Sequence, residues 1–116
     1  MKTIEEIKKL TDIPVVATDE QGNINFINKA FGEVFGWQKE EIIGRPLTTI
    51  IPPNLRDAHR LGFSRFLATK KPTLLNQPLN LKAIKKDGVI FDAEHLILAE
   101  QRGGHWIFGA TIQPLK

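Results

Sequence analysis

Three histidines, a single serine and a set of acidic side chains are the residues of this 116-residue chain that could do chemistry. The most informative of them is His59, in the stretch PPNLRDAHRLGFSRF. On a helical repeat, His59 shares one face with Leu55, Phe63 and Phe66, while the charged residues turn to the other side. An imidazole on an apolar face can be a hydrogen-bonded core residue, a lining residue of a ligand pocket, or an axial ligand of a metal centre.

The remaining candidates form no catalytic set. Ser64 lies on the polar side of the same helix, and no Gly-x-Ser-x-Gly surrounds it to expose it as a nucleophile. Glu94 and His95 are neighbours in a strand pattern, so their side chains point to opposite faces. A zinc site built from His59, His95 and His105 has no supporting spacing. We therefore expect that the chain is not an enzyme.

Composition narrows the class of protein further. The chain has no cysteine, which excludes disulfides, thiolate metal sites and cysteine nucleophiles. Its hydrophobic fraction of 41% and charged fraction of 25% are typical of one globular domain. The net charge of +3 is scattered along the chain, which indicates a solvated surface and no nucleic-acid partner. With no signal-peptide pattern and no apolar run of ~18 residues, we expect a cytoplasmic protein without a membrane segment.

The first half of the chain reads as a helix, a hairpin and several short helices. Thr3 and Glu6 form a capping box for an amphipathic helix, and residues 1–12 are assigned to this flanking element. The stretch VVATDEQGNINFIN, residues 15–28, predicts two strands joined by a turn. Asn28 is the predicted cap of the next helix, KAFGEVFG. Two prolines then precede the helix that carries His59.

The last third predicts three longer antiparallel strands. Alternation places Leu75, Leu79, Leu81 and Ala83 on one face, and a later strand groups Trp106, Phe108, Ala110 and Ile112 in the same way. His95 is hard to place, because both faces of its strand are mixed, and a bulge could shift the register. The expected fold class is α+β, with a five-stranded antiparallel sheet, short helices covering one face and an N-terminal amphipathic helix.

The segment VVATDEQGNINFINKAFGEVFGWQKEEIIGRPLTTIIP resembles the opening of a PAS domain, with its D-x-x-G turn, N-x-A-F and F-G-W-x-x-x-E-I-I-G-R phrases. KKDGVIF followed by AE and a closing Gly-Gly hairpin resembles the second half of that family. The resemblance assigns residues 13–116 to one PAS domain. It implies a sensory module, often a homodimer, that relays its state to a kinase, cyclase or regulator domain in the same chain or in a partner.

The resemblance also bears on cofactors. Light-sensing flavin members of the family keep a cysteine after the G-R phrase, and this chain has none, so that photochemistry is excluded while non-covalent flavin binding remains an alternative. IIPPNLRDAH is similar to the entry into the iron-ligating helix of bacterial heme PAS domains, whose pattern is P-x-x-L/Y-R-x-x-H. Carried over, heme b is the leading cofactor and His59 is the ligand of its iron.

The residues expected to line the cofactor site are His59 and a set of apolar side chains, namely Leu55, Phe63, Phe66, Leu79, Leu81, Phe108 and Ile112. The sequence departs from the heme pattern at two positions. Gly62 stands where an aromatic residue is usual, and Leu79 stands where one subgroup of heme sensors places an arginine that holds oxygen. An apolar residue there favours carbon monoxide or nitric oxide as the sensed gas. The alternative function is a cofactor-free interaction domain with a filled core.

Overall fold

The structure is a computed structural model that describes residues 3–69 and 77–115. Its four α-helices and five strands are, in chain order, α1 (Ile4–Lys8), β1 (Val15–Thr18), β2 (Ile24–Ile27), α2 (Lys29–Phe35), α3 (Lys39–Ile42), α4 (Arg56–Thr69), β3 (Leu79–Ile84), β4 (Ile90–Arg102) and β5 (His105–Pro114). Two 3₁₀ turns, Leu47–Ile50 and Pro53–Leu55, lead into α4. No helix among the described residues is long and apolar enough to cross a bilayer.

The five strands form one antiparallel sheet in the order β2-β1-β5-β4-β3. The first and last parts of the chain therefore meet at the centre of the sheet, where β1 pairs with β5. This is the expected α+β architecture, and the prediction is confirmed. Leu75, which the alternation groups with Leu79, belongs to residues 70–76, which lie outside the described residues.

The two faces of the sheet carry separate hydrophobic clusters. On the inner face, the buried side chains pack with the helices between β2 and β3, in a cluster that contains Val16, Phe31, Phe35, Ala93 and Ile112. On the outer face, Val15 and Leu98 pack with α1 through Ile4 and Ile7. Side chains alternate along a strand, so Val15 and Val16 point to opposite faces of the sheet. Both are buried, because each face carries its own hydrophobic cluster.

Asn28 joins three elements through its side-chain amide. Its Oδ1 accepts from the backbone N–H of Phe31, which caps α2, and from that of Val15 in β1, both at 2.9 Å. Its Nδ2 donates to the carbonyls of Leu10 and Ile13 at 3.0 and 2.8 Å. The predicted helix cap is therefore correct, and the same side chain also holds the segment between α1 and β1.

Helix α1 is only five residues long, and its contacts with the sheet explain why it is stable. The predicted capping box of Thr3 and Glu6 is present. The Glu100 carboxylate on β4 accepts from the N–H of Ile4 at 2.8 Å, at the positive end of the helix. A Cβ at Gly109 on β5 would lie 3.2 Å from side-chain atoms of Ile4 and Ile7, so glycine permits this close approach.

Candidate functional site

Helix α4 begins directly after a short turn that starts at a proline, and Arg56 anchors its first residue to the preceding chain. Pro53 starts the 3₁₀ turn that leads into the helix, as the double proline predicted. Arg56 was expected on the solvent side, but it is half-buried, and its Nε donates to the carbonyls of Thr48 and Ile51, each at 2.9 Å. This contact ties the start of α4 to the 3₁₀ turn Leu47–Ile50 and to the residue after it, and so helps to position the helix.

His59 lies one turn into α4 and is half-buried. Its ring is stacked near that of Phe63, with centroids 6.2 Å apart and planes 19° from parallel. With the described part of the chain, the imidazole makes no hydrogen bond. Burial lowers the pKa of His59, and the positive charge of Arg60 lowers it further, so the neutral imidazole predominates near pH 7. A neutral imidazole with unbonded nitrogens can ligate a metal or accept a hydrogen bond from a ligand.

Four aromatic side chains connect α4 with the inner face of β5. Phe63 lies 5.0 Å from Phe108, and Phe66 contacts both Trp106 and Phe108, at centroid distances of 4.9 and 5.5 Å. Edge-to-face contacts of this kind add stability beyond the area that they bury. We call Phe63, Phe66, Trp106 and Phe108 the aromatic cluster. Trp106, which the alternation groups with Phe108, belongs to this inner layer.

The other predicted lining residues divide into covered and uncovered ones. Ile112 is buried in the inner cluster, and Leu79 is half-buried opposite His95 in the sheet register. Leu81 pairs with the buried Ala93, which places both on the inner face, yet Leu81 is 42% exposed. Leu55, at the entry to α4, is 37% exposed. The inner face of β3 is therefore more open to solvent than that of β5.

His95 is the inner-face residue that sequence reasoning could not assign. The pairing of β4 with β5 runs without a break from Ala93 to Arg102, so the bulge considered from the sequence is absent there. His95 therefore shares the inner face with its cross-strand partners Leu79 and Ile112. Its Nδ1 lies 3.1 Å from the Ala93 carbonyl. Strict alternation from Phe91 was the signal that could have placed it.

We expect His95 to make the protein less stable in mild acid. Burial lowers the pKa of His95 in the folded state, and its hydrogen bond to Ala93 offsets this only in part. The unfolded chain, with a pKa of about 6.5, then binds the proton more readily than the folded protein. The stabilising contribution is complete above about pH 6.5 and is lost as the pH falls below it. Urea unfolding between pH 7.5 and 5.0 should show a smaller loss for His95→Asn than for the wild type.

Burial lowers the pKa of His59 as well as that of His95, so both histidines can contribute to the pH dependence of stability. The same unfolding series with His59→Asn measures the contribution of His59 separately. A wild-type pH dependence that His95→Asn left unchanged would contradict the assignment to His95.

Other predicted features take the following places. His105 is exposed at the start of β5. Among residues 3–69 and 77–115, no cluster of three or more histidine and acidic side chains could hold a metal ion. Trp37, two residues after the end of α2, lies near the cationic groups of Arg45 and Lys86, which are 5.0 and 5.4 Å from its ring centre.

The fold is that of an α+β module in which helices cover the inner face of an antiparallel sheet. The family model of the PAS fold matches residues 4–73, more than half of the chain. The chain therefore belongs to the PAS family, whose domains are sensory modules of signalling proteins. The resemblance stated from the sequence is confirmed.

Two relatives place the chain among larger bacterial proteins. An uncharacterized protein of Azorhizobium caulinodans is 37% identical over 103 residues, which is 88% of this chain and 14% of that protein. Sensor protein FixL of Bradyrhizobium diazoefficiens is 28% identical over 102 residues, which is 87% of this chain and 20% of FixL. The chain thus spans a fifth or less of the length of these relatives.

Solved structures show the same fold at low sequence identity. The PAS domain of a protein from Colwellia psychrerythraea has a TM-score of 0.72 at 20% identity, and the match covers 95% of each chain. A LOV protein of Rhodobacter sphaeroides has a TM-score of 0.68 at 13% identity, covering 97% of this chain and 64% of that one.

Proposed function

We propose that this PAS domain is the sensory module of a signalling protein and binds heme b between α4 and the inner face of the sheet. His59 would be the axial ligand of the iron. The observation that supports this most is the state of His59: it is half-buried, it lies beside Phe63 on the side of α4 that packs on the sheet, and it has no hydrogen-bond partner among the described residues. An imidazole held by its own hydrogen bonds would have to break them to ligate a metal.

The surrounding side chains suit an apolar, planar cofactor. The aromatic cluster would form the wall on the β5 side, because its four rings already contact one another. Leu79 and Leu81 would form the wall on the β3 side, where the exposure of Leu81 leaves apolar surface for a ligand to cover. Heme, if bound, would supply an iron atom that can bind a diatomic gas.

Leu79 bears on which gas would be sensed. It stands where one subgroup of heme sensors has the arginine that holds oxygen, and its side chain has no hydrogen-bond donor. We therefore propose carbon monoxide or nitric oxide, since neither depends on a donor as strongly as polarised oxygen does.

The output of the module would leave through α1 and β5. These two elements contact each other across the outer face, and β5 also carries two members of the aromatic cluster. We propose residues 1–12 as a flanking segment and 13–116 as the PAS domain, acting in the cytoplasm as a homodimer. A kinase, cyclase or regulator domain would receive the signal, and the domain itself would carry out no reaction. A ligand can drive this relay only if it binds two conformations unequally.

The alternative is a cofactor-free interaction domain, and the aromatic cluster favours it. Rings in mutual contact between α4 and β5 are what a filled core would contain. In that case the inner face would have a purely structural role, and α1 with the outer face would serve for dimerisation.

Absorption spectroscopy of the protein produced with added hemin separates the two functions. For the sensory module, we expect a Soret band that survives gel filtration, and a melting temperature that rises with hemin because the ligand binds the folded state alone. Mass spectrometry of co-purified small molecules would identify a flavin if that were the natural occupant. A colourless protein whose melting temperature ignores both hemin and flavins would leave the interaction domain as the function.

A further inference from the structure

A groove of about 440 Å³ lies between the β3–β4 hairpin, the 3₁₀ turn after Pro46 and the first turn of α4. His59 and the aromatic cluster have no part in its wall. Its volume falls within the range of about 300–1,000 Å³ that is usual for small-molecule sites. Four basic side chains line it, namely Arg45, Arg56, Lys85 and Lys86.

In both arginines the Nε atom is held by hydrogen bonds to backbone carbonyls, whereas no described residue holds the terminal Nη atoms. Arg45 Nε donates to the carbonyl of Glu41 at 2.9 Å, and Arg56 Nε donates to those of Thr48 and Ile51. Within the described residues, their terminal Nη nitrogens make no hydrogen bond. A guanidinium fixed through Nε loses little freedom when its two Nη groups bind an oxyanion in a bidentate way.

The positive charge of the groove is only partly neutralised. Lys86 forms a salt bridge with Glu41, and that carboxylate is held ionised because the hydrogen bond from Lys86 lowers its pKa. Lys85 Nζ lies 5.6 Å from the centre of the Phe91 ring and has no carboxylate partner among the described residues. Among the described residues, Lys86 is the one cation of these four with a carboxylate partner, so positive charge predominates at the groove.

Trp37 makes cation–π contacts with two of these basic side chains. Both cationic groups lie within cation–π distance of its ring, Arg45 at 5.0 Å and Lys86 at 5.4 Å from the ring centre. Its indole Nε1 is buried and has no hydrogen-bond partner in the described part of the chain. Trp37 therefore helps to position the cationic wall and also provides a spectroscopic probe of the groove.

We propose that this groove binds the phosphate group of a small molecule through Arg45, Arg56 and Lys85. A phosphate carries up to two negative charges and several acceptor oxygens, which match two anchored guanidinium groups and a free ammonium better than a single carboxylate does. The hydroxyl groups of Thr48 and Thr49 line the same groove and add neutral donors. This binding is independent of heme and would give the module a second input.

Titration calorimetry with inorganic pyrophosphate at 0.15 M salt tests the proposal, with Trp37 fluorescence followed in the Trp106→Phe background. Arg45→Gln and Lys85→Gln should each weaken binding about fivefold or more, in line with the upper range for an exposed ion pair. Lys82→Gln is the matched control, because it removes one charge from the hairpin on the outer face, where Lys82 pairs with Asp92. It should change the affinity less than about twofold.

Succinate at equal ionic strength is the second arm and should bind at least about fivefold more weakly than pyrophosphate. Three results would overturn the proposal: no binding of pyrophosphate at this salt concentration, an equal loss in Lys82→Gln, or succinate binding as tight as pyrophosphate binding. Because the Lys85 side chain makes no hydrogen bond among the described residues, its variant should fold normally, and urea unfolding checks this for both variants.

Discussion

Replacing His59 by alanine should lower the hemin affinity of the protein by more than about 100-fold and remove its Soret band after gel filtration. Loss of a residue that merely supports a metal ligand already costs about 10–100-fold, so loss of the ligand itself should cost more. The fold should be retained, since His59 is half-buried and has no hydrogen-bond partner in the described structure. Circular dichroism and urea unfolding of the variant verify this.

Two further histidine variants make the result specific. His105→Ala removes an exposed imidazole and should leave the spectrum unchanged. Imidazole added to His59→Ala should restore part of the Soret band by occupying the vacated ligand position. If instead His95→Ala lost the band while His59→Ala kept it, the ligand would be the histidine on β4 and our assignment would be wrong.

Replacing Asn28 by alanine should destabilise the protein by about 2–4 kcal/mol. The substitution removes a helix cap, worth about 1 kcal/mol, and leaves the N–H of Val15 and the carbonyls of Leu10 and Ile13 without their side-chain partner. Equilibrium urea unfolding monitored by circular dichroism measures the loss, provided that the slope of the transition stays the same.

Asn28→Asp distinguishes the two halves of this hydrogen-bond set. The aspartate keeps the acceptor for Phe31 and Val15 but places a carboxylate oxygen against the carbonyls of Leu10 and Ile13. The variant protein should therefore be less stable than the wild type as well. The loss should be smaller at low pH, where the carboxyl group is protonated and can donate a hydrogen bond. Asn25→Ala, at an exposed position of β2, serves as the control and should cost less than about 0.5 kcal/mol. A loss in Asn28→Ala no larger than in this control would contradict the role given to Asn28.

Much of the fold follows from local sequence signals. The capping residues Thr3 and Asn28 and the left-handed Gly36 marked helix ends correctly, because caps act on the backbone within one turn. Strict alternation in the last strand grouped Trp106, Phe108 and Ile112 on one face, and the structure places them together on the inner face. These signals involve neighbours in the chain, so they can be read without knowing the tertiary structure.

The features that sequence reasoning missed depend on contacts between distant residues. The alternation of β4 mixes polar and apolar side chains on both faces, since α1 covers part of the outer face, and so His95 could not be placed. Arg56 looked solvent-facing on a helical repeat, yet the carbonyls of Thr48 and Ile51 hold its Nε. The cationic groove brings Arg45 and Lys85 to one place although 40 positions separate them, which no local pattern reports.

Adjacent residues of β5 face opposite layers of the molecule. Phe108 touches Phe63 and Phe66 of α4, whereas Gly109, the next residue, lies against Ile4 and Ile7 of α1. At this point α4 and α1 contact two residues of β5 that are joined by a single peptide bond. Gly109 has no side chain that could change its rotamer, so we expect a small shift of β5 to displace the side chains of Ile4 and Ile7 on α1. We therefore expect a rearrangement of the rings beside Phe108 to reach α1 through β5.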